Sequence, residues 1–375
     1  MSIEALVEIS RYYGNNPEYI LAGGGNSSWK DGDILYVKAS GHSLAEAVPD
    51  SFVKMDRKAL ARILENNYSE SEEKRENEVL SCLMAARKSG EEQNRPSVET
   101  ILHDILPFTF VVHTHPALVN GLTCSQRGEY AMKEIFDKDA IWIPSTNPGY
   151  VLSKAVKAAM DSYISENNKP ASIIFLQNHG VFVGADNVEA IKELYGEIFS
   201  KIGAMIKRRP DFSGETRGSG SVIAGERPAS IARTLSGLAG GIAAFFCGGE
   251  TSAMVAGCAS FDPVSSAFTP DHIVYAGSDP LFVESGVEDE IIKAYKEHEL
   301  KTGRKPKITA IMNLGVFSAA PTEKAANFAL DLFKDAIKVA VYSESFGGPL
   351  FMTKDKINFI NNWEVERYRS SVSTK

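Results

Sequence analysis

Phe110-Val111-Val112-His113-Thr114-His115-Pro116 is an apolar, strand-like run that ends in two histidines spaced i, i+2. Residues two apart on a strand share a face, so both imidazoles leave the strand on the same side. They then stand about as far apart as two ligands of one metal ion. Two further residues join them. Glu99 lies fourteen positions before His113, and His179, in Asn178-His179-Gly180, ends a second strand-like run at Ile173–Leu176. Three imidazoles and one carboxylate suffice for a mononuclear transition-metal site, and three imidazoles leave a fourth position exchangeable, as in catalytic zinc centres. His103 follows Glu99 by four residues and shares its helix face, where it either hydrogen-bonds Glu99 or, as the simpler reading, fills space. His42, His272 and His298 have no such company and read as surface or loop residues.

An open Zn²⁺ site polarises a carbonyl oxygen. A carboxylate displaced from the metal by substrate becomes a general base beside the polarised carbon. That is enolate chemistry, and with a second carbonyl compound it is aldol addition or cleavage. Gly23-Gly24-Gly25-Asn26-Ser27-Ser28 offers closely spaced backbone N–H groups and small hydroxyls, a nest suited to phosphate. Lys38-Ala39-Ser40-Gly41 adds a positive charge, a hydroxyl and a flexible amide. Ser97 stands where the N-cap of a helix carrying Glu99 is expected. Neither this loop nor Gly237-Leu238-Ala239-Gly240-Gly241 has dinucleotide-binding spacing.

The chain has 375 residues and a net charge of −8, with 43% apolar and 23% charged residues, a composition that favours two globular domains. No basic, aromatic-interleaved stretch suggests nucleic acid, and the longest apolar stretch, around Leu238–Cys247, is too short to span a bilayer. Without a signal-like N-terminus or a C-x-x-C pair among its four cysteines, the expected compartment is the cytoplasm. Helices are expected at Ile3–Tyr13, Met55–Glu65, Glu72–Lys88, Val98–Leu106 and Val188–Lys207, with a hairpin at Asp31-Gly32 leading to a strand at Ile34–Val37.

Between Arg208 and Pro228 the composition shifts to Arg, Pro, Gly and Ser, which predicts a catalytic domain over 1–208, a linker over 209–228 and a second domain over 229–375. Asn313-Leu314-Gly315-Val316-Phe317 echoes Asn178-His179-Gly180-Val181-Phe182 at a distance of 135 residues. The second domain therefore reads as a repeat that has lost its ligand, because Leu314 binds no metal.

Gly24-Gly25-Asn26-Ser27-Ser28, Lys38-Ala39-Ser40-Gly41, Pro96-Ser97-Val98-Glu99 through His103, Val112-His113-Thr114-His115 and Asn178-His179-Gly180 follow one another in an order that resembles the class II aldolase/adducin family. The likeness is greatest to the aldolase part of bifunctional rhamnulose-1-phosphate aldolase/dehydrogenase proteins, and it continues through Thr269-Pro270-Asp271-His272 and Asn313–Phe317. The resemblance implies an α/β fold of three layers, α/β/α, with a central, mainly antiparallel sheet, followed by a degenerate aldolase-like repeat. It implies Zn²⁺, or another divalent metal, on His113, His115 and His179, with Glu99 as resting ligand and acid/base. It also implies the phosphate of a dihydroxyacetone phosphate unit near Asn26, Ser40, Gly41 and Ser97. Ser27 and Lys38 join that phosphate set from the motifs themselves.

A small-molecule sugar phosphate is then the expected partner, and the shorter relatives' ring assemblies imply a homo-oligomer. The activity implied is cleavage of a ketose 1-phosphate to dihydroxyacetone phosphate and an aldehyde. Epimerisation by the same retro-aldol route and a non-catalytic adducin-like module are the alternatives. Glu rather than the epimerases' usual Asp at position 99 tilts toward the aldolase, whereas Val98 stands where short aldolases often carry a second phosphate-binding serine.

Overall fold

The computed structural model describes residues 2–365. The chain forms two compact units, Met1–Val119 with Gly128–Ala204, and Asn120–Arg127 with Met205–Lys375. In the first half run α1 (Ile3–Gly14), β1 (Asn26–Asp31), β2 (Ile34–Lys38), β3 (Phe52–Asp56), α2 (Arg57–Glu65), α3 (Glu72–Ala85), α4 (Thr100–Ile105), β4 (Phe110–Thr114) and α5 (Ala117–Thr123). After these come α6 (Gly128–Phe136), β5 (Ala140–Ile143), α7 (Tyr150–Asn167), β6 (Ile173–Leu176), β7 (Gly180–Ala185) and α8 (Val188–Met205).

The seven strands of the first unit are ordered β3-β2-β1-β4-β7-β6-β5, antiparallel except for the parallel pair β5 and β6. Alternation along β1 separates its two faces. Ser28 faces His103 of α4, whereas the Ser27 hydroxyl lies 2.7 Å from that of Ser10 on α1. On the α4 side, Leu102, Leu106, Val111, Leu152 and Val156 form one buried cluster, and Leu35, Val37, Val53, Leu60, Leu83 and Ile101 another. On the far side, Tyr195 of α8 donates to the Val112 carbonyl and packs its ring 4.6 Å from that of Tyr13. The result is the three-layer α/β/α arrangement with a mainly antiparallel sheet.

Two local expectations change. Helix was expected from Met55, but Phe52–Asp56 is a strand paired with β2, and Asp56 then caps α2 by accepting from the Ala59 N–H at 3.1 Å. The segment 209–228, expected as a linker, contains β8 (Thr216–Ser219), paired antiparallel with a later strand. Its Gly and Ser residues suit an edge strand, where Gly218 has no room for a Cβ against the Val222 carbonyl at 2.9 Å.

In the second unit come β8, α9 (Glu226–Ala239), β9 (Ile242–Cys247), α10 (Gly249–Met254), α11 (Cys258–Phe261), β10 (Leu281–Val283), α12 (Glu288–Thr302), β11 (Ile308–Ile311), β12 (Gly315–Ala320), α13 (Glu323–Ser343) and α14 (Lys354–Asn362). Its sheet order, β10-β11-β12-β9-β8, repeats β5-β6-β7-β4-β1 strand for strand, including the single parallel pair. Ile173 and Ile308, Gly180 and Gly315, and Val188 and Glu323 open equivalent elements, each pair 135 residues apart. The turn between the paired strands holds Asn178 at φ 59° and Asn313 at φ 58°, a left-handed conformation that Asn tolerates.

His113 pairs with Phe182 across β4 and β7, and Phe245 pairs with Phe317 across β9 and β12. The register thus sets Phe245, Cys247 and Leu314 in the places of His113, His115 and His179. Phe245 belongs to the apolar core of the second unit, and Cys247 and Leu314 are partly buried against it. His272, expected on the surface, is buried in a π-helical turn at His272–Ala276, and its Nε2 lies 3.2 Å from an Asp335 carboxylate oxygen. Among the described residues no helix is long and apolar enough to cross a membrane.

Candidate metal centre

The centre is assembled on the α4 face of the first sheet. β1 and β4 pair with Asn26 opposite His113, so these side chains leave the sheet on one face. His113 stacks on Phe182 with centroids 4.0 Å apart and an interplanar angle of 12°. Its Nδ1 lies 2.9 Å from the Val181 carbonyl, which only accepts, so Nδ1 carries a proton and Nε2 is the atom turned toward the other two rings. That Nε2 stands 2.8 Å from Nε2 of His115 and 3.4 Å from Nε2 of His179. One ligand atom from each of the three rings lies within 4.8 Å of the others.

His179 reaches this point because the turn carrying Asn178 sets it just before β7, whose first residues lie beside the end of β4. Gly180 is required there: a Cβ would meet the Thr114 carbonyl at 2.5 Å and the His115 ring at 2.7 Å. Gly25 does the same on the other flank, at φ 67° with its hypothetical Cβ 2.8 Å from the His113 carbonyl.

Glu99 immediately precedes α4 and is buried. Its two oxygens have different surroundings. Oε2 accepts from Asn26 Nδ2 at 2.6 Å. Oε1 lies 3.3 Å from both His113 Nε2 and His179 Nε2, yet has no hydrogen-bond partner among the described residues. Burial alone pushes this carboxyl up, but His113, and beyond it His179 and His115, hold it well below the usual carboxylate range. An orphaned carboxylate oxygen facing two imidazole nitrogens, beside a cluster of three imidazoles, is a donor set that fits a divalent transition metal.

His103 adopts a role different from space filling. Its Nδ1 lies 2.8 Å from the Ser28 hydroxyl, and its Nε2 is hydrogen-bonded to Asn26 Oδ1. Asn26 must turn its NH₂ toward Glu99, so Oδ1 accepts from His103 Nε2–H and the Ser28 hydroxyl donates to Nδ1. Burial holds His103 well below the ordinary imidazole value, hence neutral. Lys30, pushed down to about 7 by burial, donates to the carbonyls of Leu106 and Phe108 at 2.5 and 2.8 Å and pins the end of α4. The spacing of Glu99 and His103 placed them on one helix face, but their joint hold on Asn26 appears only in three dimensions.

The residues expected around a phosphate divide. Ser97 is not the N-cap of α4, a position that Glu99 occupies. Its hydroxyl accepts from the Glu99 N–H at 3.2 Å and lies 3.4 Å from Asn26 Nδ2. An isolated antiparallel bridge between Ala39 and Pro96, with the Ser40 N–H donating to the Arg95 carbonyl, lays Ser40 and Gly41 alongside the Ser97 segment. Lys38 is buried in the same segment and donates to the His42 carbonyl at 2.8 Å. Ser27 is not brought to this cluster, because the alternation of β1 turns its hydroxyl to Ser10 on the opposite face.

Residues 4–198 match the model of the class II aldolase and adducin N-terminal domain. The chain belongs to that family. A curated relative, the uncharacterized oxidoreductase YuxG of Bacillus subtilis (strain 168), is 22% identical over 420 residues. That alignment takes in 99% of this chain and 58% of the relative, so the chain spans little more than half of YuxG's length. Among solved structures, the N-terminal class II aldolase domain of a conserved Thermoplasma acidophilum protein is similar to 54% of this chain over 93% of its own, at 26% identity and a TM-score of 0.46. An L-fuculose 1-phosphate aldolase is similar over 54% of this chain and 83% of its own, at 19% identity and a TM-score of 0.37.

Proposed function

We propose that the chain is a zinc-dependent aldolase that reversibly cleaves a ketose 1-phosphate to dihydroxyacetone phosphate and an aldehyde. The observation that carries this reading is the orphaned Glu99 Oε1, buried and 3.3 Å from the Nε2 atoms of His113 and His179, two of three clustered imidazoles. His113, His115, His179 and Glu99 would hold the ion, and Zn²⁺ supplies Lewis acidity toward a substrate carbonyl. Glu99 then takes and returns the proton on the adjacent carbon. Its Oε2 stays tied to Asn26, which fixes the direction in which Oε1 can act. The Ser40–Gly41 segment and Ser97 bind the phosphate, with Lys38 supplying nearby positive charge. Asn26 serves this subsite and Glu99 together. The reading carries with it a cytoplasmic homo-oligomer.

The test is a coupled assay in which ketose 1-phosphates are screened for release of dihydroxyacetone phosphate, with and without chelator. Chelator-sensitive release supports the aldolase. Interconversion of phosphates without free triose phosphate would mean an epimerase, and a purified protein that binds no zinc would mean an adducin-like module.

A further inference from the structure

The second unit lacks histidines at the ligand positions but has its own cavity, of ≈530 Å³, well away in sequence from every residue of the metal centre. That volume lies within the range of small-molecule sites, roughly 300–1,000 Å³. Its lining includes Arg304, Lys305 and Lys307 from the loop before β11, together with Ser278, Asp279 and Asn361. Ile273 and Ile360 supply apolar surface. Three cations against one carboxylate stand out in a chain whose net charge is −8.

The cations are not equivalent. Lys305 is already used, donating to the carbonyls of Leu238 and Ala239 at the end of α9. Lys307 donates to the Val274 carbonyl at 2.6 Å and has no carboxylate partner among the described residues. Burial pushes its ammonium down to about 8. The Arg304 side chain has no partner among the described residues. His298 adds no charge, because burial lowers it further below the ordinary imidazole value than nearby Asp279 raises it. The Ser278 hydroxyl, itself buried, donates to Asp279 at 2.5 Å and lies 3.3 Å from Asn361 Nδ2. In the first unit the residue before the equivalent strand is Ser172, so the charge of Lys307 belongs to the second copy alone.

We propose that this cavity binds a small phosphorylated organic molecule, with its phosphate between Arg304 and Lys307 and its polar body against Ser278 and Asn361. A phosphate dianion matches a forked guanidinium plus an ammonium better than a single carboxylate does. It also supplies the counter-charge that Lys307 lacks. The site is independent of the aldolase reading, since it uses none of that centre's residues.

Pyridoxal 5′-phosphate tests it on the full chain. Its aldehyde condenses with a lysine amine with loss of water, and borohydride reduces the imine to a stable secondary amine that peptide mass spectrometry locates. Lys307 is expected to be the most heavily labelled lysine at limiting reagent. Inorganic phosphate should protect it about tenfold more than chloride at equal ionic strength, and Arg304→Ser should abolish that difference. Arg304 is exposed, so this variant leaves the fold intact. Labelling spread evenly over surface lysines, or equal protection by chloride and phosphate, overturns the proposal.

Discussion

Asn26 Nδ2 and Glu99 Oε2 are 2.6 Å apart, and this bond divides the labour of the Glu99 carboxylate. One oxygen is tied to the sheet through β1, and the other is left to the imidazoles. Replacing Asn26 by Ala should leave all four metal-ligand candidates in place but unfix the carboxylate. Affinity for Co²⁺, read from the visible spectrum of a titration, is expected to fall about 10–100-fold. Unchanged affinity would show that Asn26 does not orient Glu99.

His103 fixes Asn26 in turn, so His103→Leu should weaken metal binding without touching a ligand. It also strands Asn26 Oδ1 and the Ser28 hydroxyl, at a cost of about 1–3 kcal/mol each in chemical denaturation. His103→Gln, whose amide can donate to Asn26, is expected to recover metal affinity at least in part. A Leu variant as stable and as tightly metal-binding as the parent would refute the chain of hydrogen bonds.

The same histidine predicts a pH dependence. Folded His103 is held well below 6.5, so as pH falls through about 6.5 the unfolded chain takes up a proton that the folded chain refuses. Its contribution to stability is therefore full above that pH and is lost on acidification, with a slope of up to about 1.4 kcal/mol per pH unit. Denaturation of the metal-free protein at pH 7.5 and 5.5 should show a smaller loss in His103→Gln than in the parent. Equal losses would remove His103 from the account.

Two Gly→Ala substitutions should move stability in opposite directions. Gly180→Ala forces a Cβ onto the Thr114 carbonyl and the His115 ring, and should cost about 1–3 kcal/mol along with metal affinity. Gly196, inside α8, leaves open space for at least 4 Å around the position a Cβ would take, so Gly196→Ala should gain about 0.5–1 kcal/mol. Thermal unfolding of the pair reads both signs at once.

The metal stoichiometry should be one per chain. His179→Ala should abolish zinc binding measured by mass spectrometry under native conditions, and Leu314→His should not add a second equivalent. Phe245 and Cys247, in the positions of His113 and His115, keep that neighbourhood apolar. A second bound zinc in Leu314→His would show that this apolar neighbourhood holds the ion without the full ligand set of the first unit.

Much of the first unit was legible because its chemistry is written in local spacing. The i, i+2 histidines end an apolar run, and the Asn-x-Gly turn recurs 135 residues on, so strand, turn and ligand could be read together. What was hidden depends on partners distant in sequence. Ser27 belonged to the phosphate nest by motif, yet the pleat of β1 sends it to Ser10. His103 finds Asn26 and Ser28 more than seventy residues away. His272 is buried by an Asp335 partner 63 positions along the chain, which no local pattern announces. β8 looked like a linker because an edge strand of Gly and Ser has the composition of a loop.

The second unit gives the molecule an internal control. There the same five-strand frame, down to the left-handed asparagine, is completed by Phe, Cys and Leu where the first copy holds imidazoles. The ligands of the first unit are thus passengers on an architecture that closes without them, rather than the clasp that closes it. Stripping the metal should therefore silence the centre while leaving its frame standing, and activity should return when the ion is restored.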